Sequence, residues 1–166
     1  MTATQLENME VTVPATLVAQ IEGLTCKPDD PGTVISGALG RLYGAINRAG
    51  LTPTAPPRVI YTEVGPDEMR FTVAAPVDRS SAAPMGQGIS IAMLPERPAL
   101  RFVHRGPYAE LERTYAQIES WLRERGGMKT HADWARYSPM WEEYLNDPTT
   151  TPESELLTHI FLPLNR

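Results

Sequence analysis

Hydrophobic and polar positions alternate along this chain with two different periods, and the longer period marks two helices. Ile35, Leu39, Leu42 and Ile46 recur at the three- and four-residue spacing of an amphipathic helix. Gly50 follows this stripe directly and suits the stop of a helix. The pattern therefore predicts a first long helix that ends near Gly50.

A second stretch repeats the same spacing later in the chain. Leu111, Tyr115, Ile118 and Leu122 form one apolar stripe, and two consecutive glycines at 126–127 close it. We expect a second long helix of similar length here, with Tyr115 as a structural side chain on its buried face. Tyr43 has the same position on the first helix, and we expect the same structural role for it.

The shorter period, in which every second residue is apolar, marks strands. Residues from Met69 to Ala75 alternate in this way, as a strand with one buried face would. A second extended stretch at 59–64 precedes it across Gly65-Pro66-Asp67, which has the composition of a hairpin turn. Residues 79–88 are rich in Ser, Ala, Pro and Gly and are typical of a linker.

The two helices belong to an internal repeat. Leu39–Ile46 and Leu111–Ile118 share the pattern Leu-x-Arg-x-Tyr-x-x-Ile. Each copy follows Pro-Ala and an apolar strand, and each precedes a tyrosine-bearing strand, a proline-marked turn and a strand that ends on proline. We interpret this order as a duplicated β-α-β-β module within one domain that spans 1–166, with halves at about 10–78 and 89–166. The predicted fold class is α+β, an antiparallel sheet with both long helices on one side.

Composition and charge exclude several classes of protein. The 166 residues are 42% hydrophobic and 21% charged, which is a globular composition. Fifteen basic and twenty acidic residues give a net charge of −5 with no basic cluster, so we expect no direct contact with nucleic acid. Cys26 is the only cysteine, the N-terminus lacks the apolar core of a signal peptide, and no long apolar run occurs. We therefore expect a cytoplasmic protein that makes no membrane contact.

Four stretches carry a resemblance to a known family. They are His104–Tyr108 before the second helix, Ala74–Val77, Trp141–Pro148 and Pro152–Leu164. Together they make the chain, from about Glu10 onward, resemble the GyrI-like small-molecule-binding family. This family supplies the effector-binding domain behind AraC- and MerR-type regulators. The resemblance implies two halves that face each other across a pseudo-twofold axis, with a ligand groove between them. Because at most ten residues precede the resemblance, we expect a free-standing effector-binding domain.

The candidate binding residues centre on two adjacent glutamates. Side chains alternate along a strand, so Glu142 and Tyr144 should share one face while Trp141 and Glu143 share the other. The resemblance places the family's acidic position on Glu142, whereas Glu143 is expected to be a solvated side chain. We expect desolvation to raise the pKa of Glu142, and Tyr144 or a neighbouring hydroxyl to donate a hydrogen bond to it.

Aromatic side chains are the second expected component of the pocket. A cation over an aromatic ring gains about 0.5 to 2 kcal/mol. Tyr61, which the repeat pairs with Tyr144, is the best candidate beside Tyr144 itself. We expect about half of the aromatic candidates to belong to the core instead. The other candidate ligand-binding residues are Phe71, Tyr137, Trp141 and Phe161.

These residues leave more than one function open. The first is the binding of small lipophilic, often cationic aromatic compounds such as drugs, dyes and antibiotics, by a sensor or sequestering protein. The second, which one branch of the resembling family implies, is hydrolysis of cyclopropane-bearing electrophiles, with Glu142 as general acid–base and Tyr144 as proton donor. The third is inhibition of DNA gyrase by protein contact. The sequence predicts no metal site and no cofactor, since His104, His131 and His159 are far apart, and it leaves any protein partner undetermined.

Overall fold

The computed structural model describes residues 6–28, 31–81 and 84–165. In these residues eight strands, two α-helices and three 3-10 segments follow one another. The strands are β1 (Asn8–Val13), β2 (Thr16–Cys26), β3 (Arg58–Val64), β4 (Met69–Pro76), β5 (Ile89–Leu94), β6 (Arg97–Arg105), β7 (Met140–Tyr144) and β8 (Leu157–Pro163). The helices are α1 (Pro31–Arg48) and α2 (Leu111–Glu124), and the 3-10 segments are Tyr108–Glu110, His131–Tyr137 and Glu153–Glu155.

The strands form one antiparallel sheet in the order β1-β6-β8-β7-β3-β4-β2-β5. The first copy of the repeat supplies β2, β3 and β4, and the second supplies β6, β7 and β8. The two groups meet where β3 pairs with β7, and we call this boundary the seam. The predicted α+β fold, a duplicated module with an antiparallel sheet, is confirmed.

Both helices pack on the same face of the sheet. Val59, Glu142 and Ile160 are successive cross-strand partners, so their side chains share a face. Val59 belongs to the apolar cluster that α1 covers, and Ile160 belongs to the cluster that α2 covers. The repeated helical stripes therefore cover one sheet from the same side, as expected. We call this side the helix face and the opposite side the back face.

Two strands extend the predicted module. β1 comes before the β-α-β-β elements of the first copy but pairs with β6 of the second, while β5 comes before those of the second copy but pairs with β2 of the first. The two copies thus exchange their leading strands. The sequence did not indicate these strands, because both lie at sheet edges and each contains a single buried residue, which weakens the alternation.

The ends of the helices follow from local sequence. α1 ends at Arg48 and α2 at Glu124, and the chain then passes through Gly50 and Gly126 with φ of 71° and 74°. This left-handed conformation is accessible to glycine without strain, so the predicted stops are confirmed. Over the described parts of the chain, no helix combines the length and the hydrophobicity needed to cross a membrane.

Candidate functional site

The alternation of side chains along β7 places Glu142 on the helix face. The Tyr144 hydroxyl donates to Glu142, whereas the Trp141 indole nitrogen donates to Glu143. The two pairs therefore lie on opposite faces of the strand, as the period of two requires. Only 3% of Glu142 is exposed, although it carries an ionisable group.

Three tyrosine hydroxyls converge on the Glu142 carboxyl group. Tyr61 and Tyr144 donate to Oε1 at 3.2 and 2.8 Å, and Tyr115 donates to Oε2 at 2.5 Å. The three donors come from β3, β7 and α2 respectively. A buried carboxyl group that lacked such partners would cost several kcal/mol, so the hydroxyls make its burial tolerable.

Burial and hydrogen bonding act on the Glu142 carboxyl group in opposite directions. Desolvation is the larger effect and raises the pKa of Glu142, while the hydrogen bonds from Tyr115, Tyr144 and Tyr61 lower it. The same burial, together with the nearby Glu142 charge, raises the pKa of all three tyrosines well above the usual value. The phenols therefore remain protonated donors at neutral pH.

The repeat places Glu142 next to the pseudo-twofold axis. If Tyr61 is aligned with Tyr144, the first-copy equivalent of Glu142 is Val59, and these two residues are direct cross-strand partners at the seam. A carboxylate in both copies would put two like charges side by side in a dry site. One copy therefore supplies the acid and the other an apolar side chain.

A cavity of about 730 Å³ opens beside Glu142 on the helix face. It crosses the seam, since its walls come from β3, β4 and β7 together with α2 and the 3-10 segment His131–Tyr137. The lining residues are Tyr61, Thr62, Glu63, Val64, Met69, Glu112, Tyr115, Ala116, Glu119, His131, Ala132, Trp134, Ala135, Ser138, Met140 and Glu142. Its size and mixed lining suit a drug-sized ligand.

The charged side chains that line the cavity are acidic, apart from His131, whose charge depends on its protonation. Glu63, Glu112, Glu119 and Glu142 line it, and the described lining includes neither Lys nor Arg. Arg70 and Arg123 approach the two outer acids Glu63 and Glu119 at 3.7 Å in exposed ion pairs, which solvent weakens. The ionised acids therefore give this wall of the cavity a negative potential.

Glu119 holds one wall of the cavity in place. Its Oε1 accepts a hydrogen bond from the Trp134 indole at 2.8 Å and lies 2.9 Å from His131 Nδ1. Trp134 in turn packs edge-to-face on Tyr115, with 6.1 Å between the ring centroids. Hydrogen bonds from His131 and Trp134 lower the pKa of Glu119, so this acid is ionised at neutral pH. The 3-10 segment is thus tied to α2 and to a tyrosine that donates to Glu142.

The structure brings together three of the residues that the sequence singled out. Glu142 and Tyr61 line the cavity, and Tyr144 donates to Glu142 from the same strand. Phe71 is fully buried in the core beneath α1, where its ring lies 6.3 Å from that of Tyr61. Tyr137 is buried in the α2 cluster and donates to the Gly127 carbonyl oxygen at 2.6 Å.

Trp141 and Phe161 lie on the back face instead. Their rings stack at 4.9 Å with an interplanar angle of 7°, and both side chains are buried. Phe71, Tyr137, Trp141 and Phe161 therefore do not line this cavity.

Two neighbouring residues make contacts that the sequence did not predict. Tyr115 packs against the α2 cluster, as its place on the helical stripe predicts, and its hydroxyl also donates to Glu142. Glu143 is not a solvated side chain, since only 15% of it is exposed and its Oε2 lies 3.4 Å from Nε of the buried Arg58. Sequence reasoning also missed Trp134, which lies in a 3-10 segment without a periodic pattern.

His104 lies at the turn between β6 and α2 and contacts both sides of it. It is buried at the end of β6, and its Nε2 donates to the Pro107 carbonyl oxygen at 2.9 Å. Its Nδ1 lies 2.6 Å from the Thr114 hydroxyl of α2. These contacts tie the end of β6 to α2 across the turn between them.

The sequence model of a family described as GyrI-like small molecule binding domain matches residues 7–165. The chain belongs to this GyrI-like family. The match covers nearly the whole chain, so it includes both copies of the repeat and every residue of the cavity. No curated protein matches the chain at a significant level.

Solved structures share this fold at low sequence identity. The crystal structure of the EcmrR C-terminal domain is 18% identical with a TM-score of 0.76, and the match covers 95% of this chain and 96% of that one. The structure of SAV2435 bound to tetraphenylphosphonium is 15% identical with a TM-score of 0.63, over 96% and 94% of the two chains. A hydrolase from Listeria innocua is 15% identical with a TM-score of 0.61, over 97% and 93%. These likenesses establish the fold of this GyrI-like protein.

Proposed function

We propose that this GyrI-like protein binds small, lipophilic, positively charged aromatic compounds in the cavity beside Glu142. The observation that carries the proposal is a buried carboxyl group, held by three tyrosine hydroxyls, at the side of a cavity lined with acids and aromatic rings. A cation that enters gains from the carboxylate and from the faces of Tyr61, Tyr115 and Trp134. The neighbour SAV2435, whose structure contains a cationic aromatic compound, supports the proposal by analogy.

The cation would also resolve the electrostatic conflict at Glu142. Without a ligand, burial raises the pKa of Glu142, which means that its ionised form is disfavoured. A positive ligand stabilises the ionised form, and the three hydroxyls already donate to it. Binding therefore couples to the loss of a proton from Glu142 whenever the empty site is partly protonated. A sensor or a sequestering protein are both compatible with such a site.

Two ions of nearly equal shape and opposite charge separate the effect of charge on binding from the effect of shape. Tetraphenylphosphonium and tetraphenylborate carry opposite charges on similar tetraphenyl frames. We expect calorimetric titration to give micromolar binding of the phosphonium and much weaker binding of the borate. Triphenylphosphine oxide, which is neutral, should fall between them. Equal affinity for the two ions would remove electrostatics from the proposal.

Hydrolysis of a strained electrophile is a second candidate. It is favoured by one observation: the Tyr115 hydroxyl lies 2.5 Å from a carboxyl group whose pKa is raised by burial. A protonated Glu142 could give its proton to the opening ring system while water adds to the carbon whose bond breaks, and the added water would return a proton to the carboxylate. The Listeria innocua hydrolase shares the fold, although the fold alone does not transfer its activity. Mass spectrometry of a cyclopropane-bearing alkylating agent after incubation with the protein decides this candidate, with Glu142→Gln as the inactive control.

A further inference from the structure

Only one of the three hydroxyls that hold Glu142 comes from the other half of the sheet. Tyr115 and Tyr144 belong to the same copy of the repeat as Glu142, whereas Tyr61 reaches it across the seam. The Tyr61 hydrogen bond is also the longest, at 3.2 Å against 2.8 and 2.5 Å. Its length therefore depends on how closely β3 and β7 are held.

A cluster on the back face ties the same two strands together. Arg58 of β3 is the direct cross-strand partner of Glu143 of β7, and its Nε lies 3.4 Å from Glu143 Oε2. The Trp141 indole donates to the same Oε2 at 3.0 Å, and the Arg58 guanidinium lies 5.6 Å from the centre of the Trp141 ring. We call Arg58, Trp141 and Glu143 the clasp.

The clasp is buried and extends beyond the seam. Only 8% of Arg58 is exposed, and its Nη2 donates to the Thr16 hydroxyl of β2 at 3.2 Å. Arg58 thus contacts both halves of the sheet from a place where water screens its charge poorly. β3 and β7 share four cross-strand pairs, so a side-chain contact at the first of them bears strongly on the geometry of this short seam.

From this arrangement we infer that Arg58 is a positioning residue, which through the clasp on the back face keeps Tyr61 within hydrogen-bond reach of Glu142 on the helix face. Arg58 is one residue from Val59, which faces Glu142 across the seam, and three residues from Tyr61 on the same strand. Loss of the clasp would let the strands relax and lengthen a hydrogen bond that is already long. The functional consequence, a change in the affinity of the site for a cation, rests on the proposed function.

The protonation of Glu142 is the readout, because the Tyr61 hydrogen bond lowers the pKa of Glu142. Loss of that bond should raise the pKa of Glu142 further. Other groups also act on Glu142 and must stay unchanged in the variants. The titratable groups around it and its cavity are Tyr61, Glu63, His104, Tyr108, Glu112, Tyr115, Glu119, His131 and Tyr144.

The test measures the Glu142 carboxyl carbon by ¹³C NMR against pH, with Glu142→Gln to assign the resonance. We expect Tyr61→Phe to raise the midpoint by about one to two pH units, the scale of one lost hydrogen bond to a charged group. Arg58→Met should raise it by a similar amount. In the Tyr61→Phe background, Arg58→Met should add almost nothing, because the hydrogen bond through which it acts is already absent.

Two further variants separate positioning from other effects of Arg58. Arg58→Met leaves Glu143 buried without its partner, whereas Arg58→Met/Glu143→Gln removes both charges and should show the same shift. Arg101→Met removes another back-face arginine, on β6 away from the seam, and should leave the midpoint unchanged.

An unchanged midpoint in Arg58→Met/Glu143→Gln would overturn the inference, and so would a shift that adds fully to that of Tyr61→Phe. The titration uses no ligand. A failure of phosphonium binding would therefore contradict the proposed function, whereas the positioning role of Arg58 would still be decided by the titration of Glu142.

Discussion

Replacement of Glu142 by Gln tests the electrostatic role of the buried carboxyl group, and the structure sets the expected size of the effect. The amide keeps the shape of the side chain. Its oxygen can still accept from Tyr61 and Tyr144, while its nitrogen can donate to Tyr115 once that hydroxyl rotates. The pocket should therefore keep its form and lose only the negative charge.

A charge-assisted interaction in a dry site is worth about 1 to 3 kcal/mol. At about 1.4 kcal/mol per tenfold change, affinity for tetraphenylphosphonium should fall by roughly 5- to 150-fold. Affinity for triphenylphosphine oxide should change by less than about twofold, because that ligand has no charge to lose. Calorimetric titration of both ligands measures the two changes in one experiment.

Glu124→Gln is the matched control for Glu142→Gln. Glu124 lies in the last turn of α2 as an exposed acid outside the cavity, so the variant makes the same change in net charge. It should leave phosphonium affinity nearly unchanged, because exposed charges are screened. Equal losses for the phosphonium and the neutral ligand in Glu142→Gln would mean that the substitution damaged the shape of the pocket, and the electrostatic reasoning would be refuted.

The structure makes four further predictions. Because burial raises the pKa of Glu142 above its usual 4.5, the folded state binds the proton more tightly than the unfolded state; this contribution to stability is present below pH 4.5 and is lost as pH rises through the folded pKa. Urea unfolding should therefore show that the unfolding free energy of Glu142→Gln increases relative to that of the unmodified protein as pH rises through that window. A difference between the two free energies that does not change with pH would contradict the raised pKa. At a pH where Glu142 is partly protonated in the free protein, phosphonium binding should release protons when titrated in buffers of different ionisation enthalpy, and Glu142→Gln should release fewer; equal release by the two proteins would contradict the coupling. Trp134→Ala should weaken phosphonium and neutral aromatic ligands alike in calorimetric titrations, since it removes a wall and not a charge; a loss confined to the cation would be the wrong result. Phe161→Leu should lower the unfolding free energy by about 1 to 3 kcal/mol through the lost stack with Trp141, yet leave ligand affinity within about twofold.

The sequence predicted the parts of the fold that depend on local periodicity and on the repeat. The helical stripes, the glycine stops and the hairpin at 65–67 are set by neighbours in the chain, and each is found in the structure. The exchange of β1 and β5 between the copies depends on contacts distant in sequence, at sheet edges where the alternation is weak. Such pairing leaves little trace in the pattern of either strand.

The candidate site shows the same division. Strand alternation predicted that Glu142 and Glu143 lie on opposite faces, the family resemblance selected Glu142 as the pocket acid, and the repeat paired Tyr61 with Tyr144. The position of Tyr115 on an apolar helical stripe looked structural, because the stripe does not reveal that α2 passes over the seam. Arg58 carried no signal, since a basic residue at the start of a strand is normally solvated.

The most direct test of the central claim is a crystal structure of the protein with tetraphenylphosphonium. We predict that the phosphonium lies in the cavity of about 730 Å³, with its phenyl rings against Tyr61, Tyr115 and Trp134 and with Glu142 as its nearest carboxylate. A phosphonium bound on the back face, or anywhere away from Glu142, would contradict the claim.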